Sequence, residues 1–220
     1  MTSEAKDILS KAFRILRAEE EFDLDRFAYR NDAAIATFME ALSLDPNMVE
    51  AWIGLGISYA YWPNRFEDAL SAFTRAQQIN PANADAYYQL GRLYFYHAET
   101  HHETVGAEEY ETALHYLQEA AARGYHDLGD LYNLMGTAYF RLKRYDEAIR
   151  CFEQSVVEAN EGAWLPSTYF LAAEANKLKG NLGEALRWYE SYVSSGFDDE
   201  EVGLNIRNLK IILQNRHKAL

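Results

Sequence analysis

One stretch, DLYNLMGTAYFRLKRYDEAIRCF from Asp130 to Phe152, limits what the rest of the chain can fold into. Tyr132, Met135, Gly136 and Tyr139 fall at i, i+3, i+4 and i+7, which places them on one face of a helix. Ala148, Phe152 and Ser155 do the same on a second helix. Gly136 and Ala148 are small where two backbones must approach, and the neighbouring aromatics have the volume to fill the space beside them. The polar link LKRYDEA is too short for anything except an antiparallel neighbour. A helix pair of this size cannot bury its apolar face alone, so further copies are required.

Further copies are present. Trp52, Leu55, Gly56 and Tyr59, then Ala69, Phe73, Ala76 and Pro81, repeat the pattern; Tyr87, Leu90, Gly91 and Tyr94, then Ala113, Leu117 and Ala120, repeat it again. Tyr169, Ala172, Ala173 and Asn176, then Gly180, Ala185, Tyr189 and Tyr192, form a looser copy, with Asn176 in place of an aromatic. Ala34, Phe38, Ala41 and Pro46 read as a second helix whose partner carries Ile8, Ala12 and Ile15. The series resembles the tetratricopeptide repeat, whose period is about 34 residues with the pattern W-x2-L-G-x2-Y, then A-x3-F, then P. The resemblance covers nearly the whole chain. It implies an all-α fold, a right-handed superhelical solenoid of antiparallel helix pairs forming a single domain over 1–220. The pairs are expected over about 3–46, 47–81, 84–125, 129–161 and 164–196, with a C-terminal capping helix over about 199–217. The third pair ends LQEAAARGYHD, which is similar to the Sel1-like variant of the repeat.

The departures from the repeat are local. Thr2 or Ser3 can cap a first helix running through Arg17, and the link AEEEFDLDRFAYRND then either extends the helices or bulges as a loop, with Phe22, Leu24 and Phe27 packing back. Pro63 in YWPNRFED belongs in a turn, with Trp62 either a plug against Phe66 or an exposed contact. Tyr94 and Ala113 are ten residues further apart than the repeat expects, because YHAETHHETVGAEEY is inserted or lengthens both helices. Pro166 is a good first residue for the next helix. At the end Val202, Ile206, Leu209 and Leu213 form a stripe that covers the last pair, while Ile211 and Ile212 broaden the apolar face enough for a homodimer contact.

Charge narrows the partners. The 34 acidic residues exceed the 21 basic ones for a net charge of −13, a field that repels nucleic acid and anionic membrane surfaces. No stretch approaches the ~18 uninterrupted apolar residues of a membrane helix, and MTSEAKDILSKAFRIL lacks the basic start and apolar run of a secretory signal. Cys151 is the one cysteine, so no internal disulfide forms and a cytoplasmic protein is expected.

No catalytic signature stands out: there is no G-x-S-x-G, P-loop, H-E-x-x-H or paired-cysteine spacing, and Gly54-Leu-Gly56 lies inside an expected helix. Cys151 beside Phe152 reads as an inert helical thiol. His97 and His101 at i and i+4, with His102, Glu99 and Glu103, have the spacing of a shared metal site or of a solvated, pH-sensitive helix extension. The expectation is a non-enzymatic chain with no cofactor and no resident metal.

The family resemblance implies that the first helix of each repeat lines a concave face. Carried to matching positions, it nominates Tyr61 beside Ile53, Ile57 and Ala60; Tyr88, Gln89, Arg92, Phe95 and Tyr96; and Asn133, Thr137, Phe140 and Arg141. Phe13, Leu16 and Arg17 at one end and Phe170, Glu174 and Lys177 at the other extend the set. Chaperone-binding members of the family use a clamp of Lys, Asn and Arg for a terminal carboxylate, and here only Arg92, Asn133 and Arg141 match in kind. The expected function is a scaffold or adaptor that takes a peptide or helix of another protein in an aromatic groove. The alternatives are a self-assembling structural protein and a secretion-type chaperone for an aggregation-prone client.

Overall fold

The computed structural model describes residues 2–17, 24–100, 106–159 and 165–218. Among these, eleven α-helices and no strand are present: α1 (Ser3–Leu16), α2 (Leu24–Leu44), α3 (Val49–Ala60), α4 (Phe66–Ile79), α5 (Ala84–Thr100), α6 (Gly106–Ala122), α7 (Leu128–Arg141), α8 (Tyr145–Glu158), α9 (Pro166–Leu178), α10 (Leu182–Ser194) and α11 (Glu200–Lys218). The chain is all-α, and α1 with α2, α3 with α4, α7 with α8 and α9 with α10 pack as neighbours. Thr2 caps α1 by accepting from the Ala5 N–H at 3.2 Å, and Pro63–Arg65 form a 3-10 turn between α3 and α4.

The small-next-to-large rule read from the sequence is visible atom by atom. A Cβ on Gly136 would stand 2.6 Å from the Phe152 ring, and one on Gly56 would stand 2.5 Å from Phe73. Both rings are buried, so each glycine is the space its phenylalanine occupies. Gly54 holds the same relation to Phe38, which ties α3 to the preceding pair.

The departures resolve as lengthened helices. The described part of the first link, from Leu24, belongs to α2, whereas Phe22 lies outside the described residues. In the third pair α5 extends to Thr100 and α6 begins at Gly106, so the extra sequence lengthens both helices and only 101–105 lie outside the description. Asn31, 2% exposed, donates its amide to the Ser58 carbonyl at 2.8 Å, close to where α3 ends ahead of Pro63. Asn176, where an aromatic was expected, is buried and donates to the Ala172 carbonyl at 2.9 Å.

The chain divides into two compact units. Unit 1 comprises Met1–Thr104 with His115–Tyr125, and unit 2 comprises Val105–Leu114 with His126–Leu220. Unit 1 is built on Phe38, Phe73, Leu90 and Leu117, all essentially inaccessible, and unit 2 on Leu131, Phe152, Tyr189 and Val202. In unit 2 three of the four residues of the stripe expected on the last helix, Val202, Ile206 and Leu209 of α11, pack among Ala173, Ala185 and Tyr189. The Cys151 thiol is buried, and desolvation pushes it from 9.0 up to about 11, which keeps it a thiol at neutral pH.

Candidate partner-binding site

Within unit 1, α3 and α5 run side by side and both pack against α4. Gln89, Arg92 and Tyr96 follow one another at i, i+3 and i+7 along α5, while Ile57, Ala60 and Tyr61 end α3 on the facing side. These six, with Phe73 and Leu93, line a cavity of about 250 Å³. The lack of a side chain at Gly56 is what lets Phe73 contribute to its floor. A second cavity of about 120 Å³ shares Ala60, Tyr61, Leu93 and Tyr96 and adds Trp62, Phe66, His97 and Thr100. Tyr61 and Tyr96, 48% and 52% exposed, therefore border both spaces. Trp62 is half-buried and lines this second space together with Phe66.

Arg92 supplies the cation. Its Nη1 donates to Gln89 Oε1 at 3.3 Å and its guanidinium carbon lies 5.7 Å from the centre of the Tyr96 ring. Among the described residues no carboxylate pairs with it. The lining thus offers hydrocarbon walls, two phenols, one amide and one half-buried guanidinium that, among the described residues, meets only neutral groups. That combination suits an apolar side chain flanked by an anionic or carbonyl oxygen.

Of the residues nominated from the sequence, the structure brings Ile57, Ala60, Tyr61, Gln89, Arg92 and Tyr96 together. Tyr88 and Phe95 differ from expectation: they are only 4% and 5% exposed and present almost no surface to a partner. The cause for Tyr88 is the end of α6, where Gly124 turns with φ +78 and returns Tyr125 to stack on Tyr88 at 4.1 Å and 10°. Asn133, Thr137, Phe140 and Arg141 belong to unit 2. There Asn133 Oδ1 already accepts from Thr168 at 3.1 Å, Thr137 donates to the Asn133 carbonyl at 2.9 Å, and Phe140 meets Tyr145 edge-on at 5.6 Å. Arg141 is exposed. Phe73 and Leu93 escaped sequence reasoning because their spacing marks them as packing residues. Only the missing side chain of Gly56 hints that Phe73 reaches further.

On α9, where Glu174 takes the repeat position that Arg92 has on α5, the nearby cation is neutralised. Lys177 Nζ lies 2.5 Å from Glu174 Oε1, and the same carboxylate accepts from the hydroxyl of the buried Tyr189. Desolvation first, and then the hydrogen bond to Glu174, push the Tyr189 phenol well above its ordinary value.

His97, singled out for its metal-like spacing, lies against Phe66 with ring centres 4.1 Å apart and planes tilted by 32°. His101, His102 and Glu103 lie outside the described residues, and among the described ones no group of three or more His, Cys, Asp or Glu is placed to hold a metal ion. Among the described residues no helix is long and apolar enough to cross a membrane. A further cavity in unit 1, of about 400 Å³, opens between α2, α3 and α4 and is lined by Met39, Leu42, Trp52, Leu55 and Tyr59 with Asp68 at its edge. Nothing in the sequence pattern marked it.

Comparison with known proteins supports one family. Three profiles described as tetratricopeptide repeat match residues 30–48, 64–101 and 127–194, together more than half of the chain. Superkiller protein 3 of Saccharomyces cerevisiae is 40% identical over 55 residues, 25% of this chain and 4% of that protein. The formate-dependent nitrite reductase complex subunit NrfG of Escherichia coli O157:H7 is 28% identical over 99 residues, 43% of this chain and 50% of that protein. The match therefore spans half or less of each relative's length. Among solved structures, Pseudomonas aeruginosa pilF superposes with a TM-score of 0.74 at 18% identity, covering 98% of this chain and 87% of that one. PilW, a type IV pilus biogenesis factor, gives 0.70 at 18% identity with coverages of 98% and 88%. YrrB, a repeat protein with an unusual peptide-binding site, gives 0.65 at 23% identity with coverages of 83% and 87%. At such identities the structural likeness speaks for the fold alone. Taken with the profiles and with the glycine–phenylalanine junctions of α3 with α4 and α7 with α8, it establishes that the chain belongs to the tetratricopeptide-repeat family.

Proposed function

We propose that this protein is a non-enzymatic adaptor that holds a short segment of a partner protein against α3 and α5 of unit 1. One observation carries the reading: an apolar cavity of about 250 Å³ beside a guanidinium that has no carboxylate partner among the described residues. An apolar side chain of the partner enters between Ile57, Phe73 and Leu93, Tyr61 and Tyr96 flank it, and Arg92 holds a carboxylate or carbonyl oxygen of the same segment. A cation met only by neutral groups gains more from an arriving anion than one already paired, because no existing ion pair has to be broken. The peptide-binding site of YrrB and the general use of these repeats in protein interaction agree in kind. The adaptor is read as cytoplasmic.

The test is a peptide array probed with the labelled protein, followed by titration of the best binders against Arg92→Gln and Tyr96→Ala. Both variants are expected to keep wild-type helicity and lose binding, Arg92→Gln most for peptides with an acidic residue or terminus. Undiminished binding by both would remove this site.

A further inference from the structure

α11 carries two faces of different fate. Val202 and Leu209 are buried against unit 2, 0% and 3% exposed, whereas Leu204, Ile211 and Ile212 on the outward side are 50%, 57% and 43% exposed. Leu204, Asn208 and Ile211 follow at i, i+4 and i+7, so they form one continuous outward stripe. Along that helix charge is polarised: Glu200 and Glu201 occupy the first turn, Arg207 lies near the middle, and Lys210, which pairs with Glu190 at 2.8 Å, is followed by Arg216 and Lys218 at the far end.

We propose that this face docks onto the same face of a second copy of the chain, with the two α11 helices antiparallel about a two-fold axis near Asn208. The charge distribution selects the occupant and the direction. An antiparallel copy sets the acidic start of each helix beside the basic end of the other, whereas a parallel copy sets like against like at both ends. The same geometry brings Leu204 of one copy opposite Ile211 of the other, which covers both exposed side chains. A helix of 19 residues is about 28 Å long, so the contact is smaller than a stable interface of about 1,600 Å² and the dimer exchanges with monomer. This contact is independent of the cavity in unit 1.

Sedimentation equilibrium of the full chain across a concentration series reads the contact directly. The average mass is expected to climb from one chain towards two, and the double variant Leu204→Glu, Ile211→Glu to weaken dimerisation by roughly tenfold or more with unchanged helicity. Direction is read by cysteine cross-linking in a Cys151→Ala background. Asn208→Cys is expected to form a disulfide-linked dimer, and Glu200→Cys alone is expected to form none. A wild type that stays monomeric throughout, a dimer undiminished in the double variant, or efficient cross-linking through Glu200→Cys would each overturn the proposal.

Discussion

Units 1 and 2 are packed by the same rule and finished differently. In unit 1 Gly56 receives Phe73, and in unit 2 Gly136 receives Phe152, with almost the same separation between ring and absent Cβ. The inner-helix cations then part company. Arg92 of α5 faces Gln89 and Tyr96 beside an open cavity, while Lys177 of α9 is held by Glu174, which also accepts from buried Tyr189. The shared feature belongs to the repeat, and the difference is where a partner can be chosen.

The largest effect is expected where the units agree. Gly136→Leu drives a side chain into the Phe152 ring, and the overpacking should cost about 3 kcal/mol, well above the helix propensity it gains. Gly56→Leu should cost a similar amount against Phe73. Urea denaturation checks both, and the two values together test whether the units obey one packing rule. Adding Phe152→Ala to Gly136→Leu should recover part of the loss.

The next effects separate the units. Glu174→Gln removes the carboxylate shared by Lys177 and Tyr189 and should destabilise by about 1–2 kcal/mol in the same denaturation experiment. Arg92→Gln should leave the urea midpoint unchanged and weaken peptide binding by roughly tenfold, measured by fluorescence anisotropy. If Arg92→Gln destabilised as much as Glu174→Gln, the contrast between the two cations would collapse.

Tyr189 supplies a pH test of the same contrast. Its folded-state value is raised, so its contribution is fully present below the unfolded value of about 10 and is lost as pH rises beyond it. Wild type should therefore lose stability relative to Tyr189→Phe above pH ~10, with the other tyrosines cancelling between the two proteins. The smallest effect is at the α7–α8 turn, where Lys143 sits at φ 60 while Gly180 performs the same task at φ 81. Lys143→Gly should stabilise by about 0.5–1 kcal/mol, visible as a small rise in Tm.

Helix pairing was legible because its physics is local and periodic. The spacing of Tyr132, Gly136 and Tyr139, and of Ala148 and Phe152, needs only the pitch of a helix to define a face, and a short turn to define an antiparallel partner. The site was half legible. Ile57, Ala60, Tyr61, Gln89, Arg92 and Tyr96 were found because position in the repeat places them on the first helix of a pair. Tyr88 and Phe95 share that position and are buried, Tyr88 because the returning chain at Gly124 sets Tyr125 over it.

The amino-acid sequence by itself determined the all-α class, the antiparallel pairing of neighbouring helices such as α7 with α8, and the glycines that phenylalanines require, since each follows from side-chain size at helical spacing. Tertiary structure alone decided which inner residues stay open. Burial of Tyr88, the depth of Phe73 beneath Gly56 and the neutralisation of Lys177 by Glu174 depend on what neighbouring helices bring to the same point in space. Periodicity fixes the direction in which a side chain points, but accessibility and charge are properties of everything that meets it there.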